Sequence, residues 1–359
     1  MKRFINTLQT EQKENEMAVF LEDIKMFDKQ NMLEKLKGFA YQCKDGYSFT
    51  VPALPFKSIE KVIFAGMGGS AISGDIITTI VSENSKIPSF VNRDYTLPLW
   101  AHNEKTLVVA ISYSGNTEET LTVLEEAGKR KNSIICISSG GKIEKIAREE
   151  NIPFLKIPPG YPPRCALGYL FFSCYKIMET LGIVHPLENK LFIKMENWIK
   201  NFLPESNNNL ARNIAEKLYN RVALFYTSNK FLSVITRWKT QIAENSKAFA
   251  FINVFPEMNH NEIMSWRYPE WFIEKCLPVF IIPQKENPRI KIRFEITKDI
   301  ILKKQPEIIN LVPEGEDMIE ELFYLIILGD WISFYLAILN RVNPTEIQEI
   351  ELLKQKLGG

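Results

Sequence analysis

Ile111-Ser112-Tyr113-Ser114-Gly115-Asn116-Thr117-Glu118-Glu119-Thr120 decides how this chain is read. It follows the apolar run Leu107-Val108-Val109-Ala110, which is short and rich in β-formers, as a buried strand is. A helical pattern starts at Glu118, with Leu121, Leu124 and Ala127 on its apolar side. A strand that passes through small hydroxyl residues into a helix start makes an anion pocket. The first N–H groups of the helix have no partner within it, and the helix dipole is positive there. Ser112, Ser114 and Thr117 add hydroxyls, and apart from Tyr113 the loop is small enough to admit a phosphate.

The same grammar extends outward. Residues 8–38 are charged, with Met17, Phe20, Leu21, Ile24 and Phe27 at helical spacing, which predicts helices. Ile59 to Phe64 reads as the first buried strand, ending at Gly66-Met67-Gly68-Gly69-Ser70, with a helix after it. Further strands are expected at 88–91, 107–111 and 133–137, with helices at 118–130 and 143–150. This alternation predicts a mainly parallel sheet flanked by helices, with ligands at the carboxyl ends of its strands. The polar stretch 186–209 reads as a junction. Beyond it come a strand at 221–225, a polar loop at 226–229, a helix at 231–242, strands at 279–282 and 290–296, and a long helix from about Asp317 to Leu339. The second half looks like a degenerate copy of the first, with hydroxyls but without the glycines. The expected division is an N-terminal helical segment over 1–50, a first, phosphate-binding domain over 51–185, a junction over 186–210 and a second domain with C-terminal helices over 211–359.

Composition narrows the classes. Lys plus Arg is 44 and Asp plus Glu is 43, so no basic face for nucleic acid is indicated. Cys43, Cys136, Cys165, Cys174 and Cys276 are scattered without CxxC spacing, which argues against a zinc site or a disulfide framework and for a reducing cytoplasm. The first residues run into polar sequence rather than a signal-peptide core, and no apolar run reads as long enough to span a membrane.

The loops Gly66–Ser70 and Ser112–Thr117 both follow strands and both open helices. The first loop alone is as well explained by a tight turn; the two together favour a ligand. Gly66, Gly68 and Ala71 also fit a loose dinucleotide pattern. The acid that such a site expects about 20 residues on is not where it should be, since Asp94 comes later and lies beside Arg93. The serine loop has no role in that scheme, so a sugar phosphate ranks ahead of it.

Gly66-Met67-Gly68-Gly69-Ser70, Ser112 to Thr120 and Pro158-Pro159-Gly160-Tyr161-Pro162-Pro163-Arg164 resemble the sugar isomerase (SIS) domain. Glu244-Asn245-Ser246-Lys247 and Phe255-Pro256-Glu257-Met258-Asn259-His260-Asn261-Glu262-Ile263 resemble the bifunctional phosphoglucose/phosphomannose isomerase family, over about residues 59–357. Pro163, Cys165 and Ser73 depart from the pattern without removing a group of obvious chemical role.

The resemblance implies an α/β fold of two SIS-type domains and an aldose–ketose isomerase acting through a cis-enediol. Such chemistry needs a base that moves one proton between adjacent carbons, and a partly buried carboxylate suits it. Glu244 aligns with that base. Histidine suits ring opening near neutral pH. Of His102, His185 and His260, only His260 aligns with that role, between two asparagines that could fix its tautomer. The resemblance further implies that it serves the neighbouring subunit's site, hence a homodimer. It gives Arg164 the stabilisation of enediolate charge and Lys354 a part in ring opening. Gly69, Ser70, Ser112, Ser114 and Thr117 would hold the phosphate. No cofactor and no metal is expected, nor nucleic acid or membrane as a partner. A non-catalytic sugar-phosphate regulator is the alternative; it would need neither Glu244 nor His260.

Overall fold

The computed structural model describes residues 19–56 and 58–357. The predicted helix around Met17 therefore lies partly outside the described residues. The described chain separates into two compact units, one spanning 38–196 and the other 19–37 with 197–357.

The 38–196 unit is built on five parallel strands: β1 (Lys61–Ala65), β2 (Ser89–Asn92), β3 (Thr106–Ile111), β4 (Ser133–Ser138) and β5 (Phe154–Lys156). Their order is β2-β1-β3-β4-β5. Ala65 pairs with Ala110 and Ala110 with Cys136, so the loops after β1, β3 and β4 leave the sheet at one edge. The order reverses between β1 and β3, where the connections depart to opposite faces and open a crevice. Both glycine- and serine-bearing loops emerge there. On one face Ile63, Val108 and Ala110 pack with Val123, Leu124, Ile143 and Ala147 of the helices Glu118–Lys129 and Gly141–Glu149. The short β5 was not expected; its three residues carry too little alternation to register as a strand.

The other unit holds four parallel strands in the order β7-β6-β8-β9. They are β6 (Val222–Ser228), β7 (Ala250–Phe255), β8 (Cys276–Ile281) and β9 (Ile309–Leu311). Leu224, Tyr226, Phe255, Phe280, Phe294 and Ile301 fill one face. On the other, Phe225 meets Trp238 edge-on at 5.1 Å, and Trp238 donates to Leu325 O at 2.8 Å. Residues 19–37 belong to this unit, with Phe20 5.6 Å from Tyr335 and 4.3 Å from the Arg212 guanidinium.

Three expectations are corrected. Residues 290–296 are not a strand but part of the helix Pro288–Leu302. Ile290, Ile292, Phe294 and Ile296 alternate like a strand, yet Asn287 caps the segment and Pro288 occupies the first turn, both helix-start devices. Only Phe294, Thr297 and Ile301 are buried, at helical spacing, while Ile292 and Ile296 stay exposed. Residues 226–228 are not a loop but the end of β6, buried because Thr227 Oγ1 donates to Ile281 O at 2.9 Å and Tyr226 is enclosed by the sheet core. The third concerns length. Met318–Leu339, 22 residues, is long and apolar enough to cross a bilayer. It is the core helix of its unit instead, with every residue from Glu320 to Ile338 buried, which accounts for its composition.

Candidate active site

The 38–196 unit gathers three segments at the β1/β3 crevice. Gly69 lies in the first turn of the helix Gly68–Asn84. A Cβ there would lie 3.0 Å from Pro163 O and 3.1 Å from Arg164 Cα, so glycine is what lets the arginine turn approach. Ser70, one residue on, is buried, and its Oγ accepts from Tyr113 N at 3.3 Å. The first loop is thereby bonded to the second.

Within the second loop, Ser112 and Thr117 hydroxyls lie 2.9 Å apart, and Gly115 N donates to Ser112 Oγ at 3.1 Å. Thr117 occupies the N-cap of Glu118–Lys129, and its side chain makes no capping bond. Ser112 is 1% exposed, whereas Ser114 is exposed. The hydroxyls thus form a lining of two depths. Gly115 has φ +70°, and a Cβ on it would lie 1.7 Å from Gly140 O. The loop is packed that tightly against the one after β4, where Ser139 Oγ donates to Tyr113 O at 2.6 Å.

Tyr113 is the strut of this arrangement. Its hydroxyl donates to Pro158 O at 3.0 Å and accepts from Tyr161 N at 2.8 Å. That clamps the Pro158–Arg164 run onto the serine loop, and burial pushes the phenol's pKa up. Arg164 sits in the one-turn 3-10 helix Pro163–Cys165 and is only 3% exposed, so it is a buried group rather than a surface one. The turn is held from below by Gln42. Its Nε2 donates to Cys165 O at 3.0 Å and its Oε1 accepts from Gly168 N at 2.7 Å. Neither Tyr113 nor Gln42 was singled out as functional from sequence. A lone bulky residue in a loop of small ones was the available signal for Tyr113; Gln42 offered none.

In the other unit, Glu244 lies in a π-helical turn, Ile242–Ser246, which continues the helix Leu232–Gln241. It is half-buried between buried Ile242 and Asn245. His260 is exposed at the end of the 3-10 turn Glu257–His260, which buried Met258 anchors. The flanking asparagines do not hold its ring. Asn259 Nδ2 donates to Thr297 Oγ1 at 2.8 Å, and Asn261 Nδ2 to Glu257 Oε1 at 2.7 Å. Asn261 Oδ1 also accepts from Glu262 N at 2.6 Å, capping the next turn. Glu262 ties the turn to the sheet, accepting from Tyr226 Oη at 2.6 Å and Asn253 Nδ2 at 2.7 Å. Burial first, then Glu262's charge, raises the Tyr226 pKa well above its ordinary value. An apolar cavity of about 210 Å³ adjoins these groups, lined by Tyr226, Phe251, Glu262, Trp266 and Phe272. Lys354 is exposed on the helix Gln348–Lys356, none of whose residues is buried. His102 and His185 lie in irregular segments. Among the described residues no group of three or more His, Cys, Asp or Glu is placed to hold a metal ion.

Two parallel sheets, one with hydroxyl-bearing loops at helix tips beside a buried arginine, define a protein of the sugar isomerase (SIS) class. The SIS domain model matches residues 56–156, and the model of the bacterial phospho-glucose isomerase C-terminal SIS domain matches residues 207–357. The chain is 38% identical over 326 residues to the bifunctional phosphoglucose/phosphomannose isomerase of Caldicellulosiruptor bescii, covering 89% of this chain and 95% of that one. It is 36% identical over 304 residues to the enzyme of the same description from Aquifex aeolicus, covering 84% and 91%. A solved putative phosphosugar isomerase from Clostridium difficile 630 superposes with a TM-score of 0.69 at 14% identity, covering 92% of this chain and 98% of that one. The chain belongs to the bifunctional phosphoglucose/phosphomannose isomerase family.

Proposed function

We propose that this isomerase interconverts glucose 6-phosphate and mannose 6-phosphate with fructose 6-phosphate, with Glu244 as the base. Family membership makes the chain a sugar-phosphate isomerase; the substrates and the residue roles are the proposal. What supports the base is the setting of Glu244: half-buried, on a turn whose neighbours are fixed, in the motif that aligns with the family base.

Gly69 N–H, Ser70, Ser112, Ser114 and Thr117 hold the phosphate at the tips of two helices, where backbone N–H groups and the dipole favour an anion. His260, from the partner subunit of a homodimer, and Lys354 move the ring-oxygen proton and open the sugar. Glu244 removes the proton from C2 of the aldose. The C–H electron pair becomes the C1–C2 double bond as the carbonyl pair moves onto O1. The hydroxyl proton of O2 passes to O1, and the same carboxyl returns its proton to C1 as the C2 carbonyl forms. Arg164 stabilises the negative oxygen that develops on the way. Rotation about C2–C3 in the enediol presents either face to the base, which accommodates both epimers. The first domain is proposed to span 51–185 and the second 211–359, in a cytoplasmic enzyme without a cofactor.

A coupled assay with fructose 6-phosphate on the parent and Glu244→Gln tests this. Loss of turnover, with fructose 6-phosphate still bound, is the expected result. Retained turnover would sink the assignment.

A further inference from the structure

Glu244 does not sit at an ordinary helix end. The chain widens into the π turn, which Lys247 N closes on Ile242 O, and Lys247 itself has φ 53° and ψ 39°. A π turn bonds less well than an α turn, and a left-handed lysine is unfavourable, so the conformation has to be imposed. Were the α-helix to continue, each residue would advance by about 100° and Glu244's neighbours would face elsewhere.

One short stretch of the core helix imposes it. Arg237 Nε and Nη2 donate to the two oxygens of Asp330 at 2.9 and 2.7 Å, and Gln241 Nε2 donates to Asp330 Oδ1 at 3.0 Å. Three residues on, Ser333 accepts from Asn245 Nδ2 at its hydroxyl, 3.0 Å, and from Ser246 Oγ at its carbonyl, 2.7 Å. Ser333 Oγ in turn donates to Asp330 O at 2.8 Å. Asn340 Nδ2 reaches Ser246 O at 2.9 Å. Arg237, Gln241, Asn245, Ser246, Asp330 and Ser333 are all buried. The segment is therefore gripped three residues before Glu244, at Gln241, and immediately after it, at Asn245 and Ser246, while Glu244 stays half-buried.

Burying an ion pair among apolar helices is a poor way to gain stability, since packed apolar side chains serve as well or better. Directional bonds do what apolar packing cannot: they select the π register over the α one. We propose that Asp330 and Ser333 are positioning residues for Glu244. They hold the π turn in the register that aims its carboxylate. The inference rests on Glu244 being the base.

The test measures kcat, KM and the kinetic isotope effect with glucose 6-phosphate carrying deuterium at C2, in the parent, Ser333→Ala, Ser333→Thr and Asn245→Ala. Glu244→Gln is run beside them as a separate check on the base. A misaimed base lowers kcat about tenfold to a hundredfold in Ser333→Ala and Asn245→Ala. KM barely moves, and the isotope effect rises because proton transfer becomes the slow step. Ser333→Thr, which keeps the hydroxyl, recovers most of the rate. If Glu244→Gln is inactive while folded Ser333→Ala and Asn245→Ala keep the parent kcat and isotope effect, the positioning role is overturned and the base reading stands. If Glu244→Gln turns over normally, both fall.

Discussion

Gln42 Nε2 donates to Cys165 O across 3.0 Å, joining a helix that precedes the first strand to the turn that carries Arg164. The same amide accepts from Gly168 N at 2.7 Å, so one buried side chain satisfies the backbone on both sides of the arginine's turn. A residue 122 positions upstream of Arg164 thereby holds the turn that carries it.

Gln42→Leu keeps the volume and removes both bonds. Cys165 O and Gly168 N each lose this bond in a buried setting, and a buried polar group left unsatisfied costs about 1–3 kcal/mol. Thermal unfolding is expected to shift down, and kcat to fall because Arg164 loses its support. An unchanged kcat in the folded variant would show that the arginine turn holds itself.

Tyr113→Phe tests the strut between the serine loop and the Pro158–Arg164 run. Only the hydroxyl goes, and with it the bonds to Pro158 O and Tyr161 N. The net stability loss is about 1–2 kcal/mol by the usual worth of such bonds. KM for fructose 6-phosphate is expected to rise several-fold as the loop loosens. Steady-state kinetics on the variant checks this; parental KM and kcat together would discount the strut.

Gly115→Ala places a methyl 1.7 Å from Gly140 O at a φ that alanine disfavours. The loop must move rather than the methyl. Inorganic phosphate is expected to protect the parent against thermal unfolding and to protect this variant far less. Equal protection of both would place the anion elsewhere.

Alkali gives a pH prediction of definite sign. Burial raises the pKa of Tyr226 well above the ordinary 10.0 and that of Tyr324 to about 12. A raised value means the folded state keeps its proton where the unfolded state loses it. The stabilisation is complete below pH 10 and is lost as pH rises from there toward the folded value. Each such tyrosine removes about 1.4 kcal/mol per pH unit in that window. A phenolate absorbance titration is expected to show Tyr226 ionising only with unfolding. A full, reversible phenolate signal at pH 11 with native circular dichroism would contradict this.

Much of the fold was legible because it is written locally. The loops at 66–70 and 112–117 sit between a short apolar run and a helical pattern, and both signals lie within a dozen residues of each other. The long apolar helix announced itself by composition, although its place in the core rather than a bilayer did not. Where local signals competed, sequence misled. Ile290, Ile292, Phe294 and Ile296 alternate as a strand does, and only the cap at Asn287 and the contacts of Phe294 settle the matter for a helix. The asparagines beside His260 suggested a tautomer lock, but their amides are spent on Thr297 and Glu257.

The sequence by itself determined the kinds of groups available: hydroxyls at helix starts, an arginine after a stiff proline run, a glutamate after an apolar helix. Only the tertiary structure decided how they are aimed. The π register around Glu244 is chosen by Asp330 and Ser333, almost ninety residues away along the chain, and the Arg164 turn by Gln42. Hydrogen bonds are directional and short, so a side chain's orientation depends on partners that no local pattern of apolar and polar residues can specify.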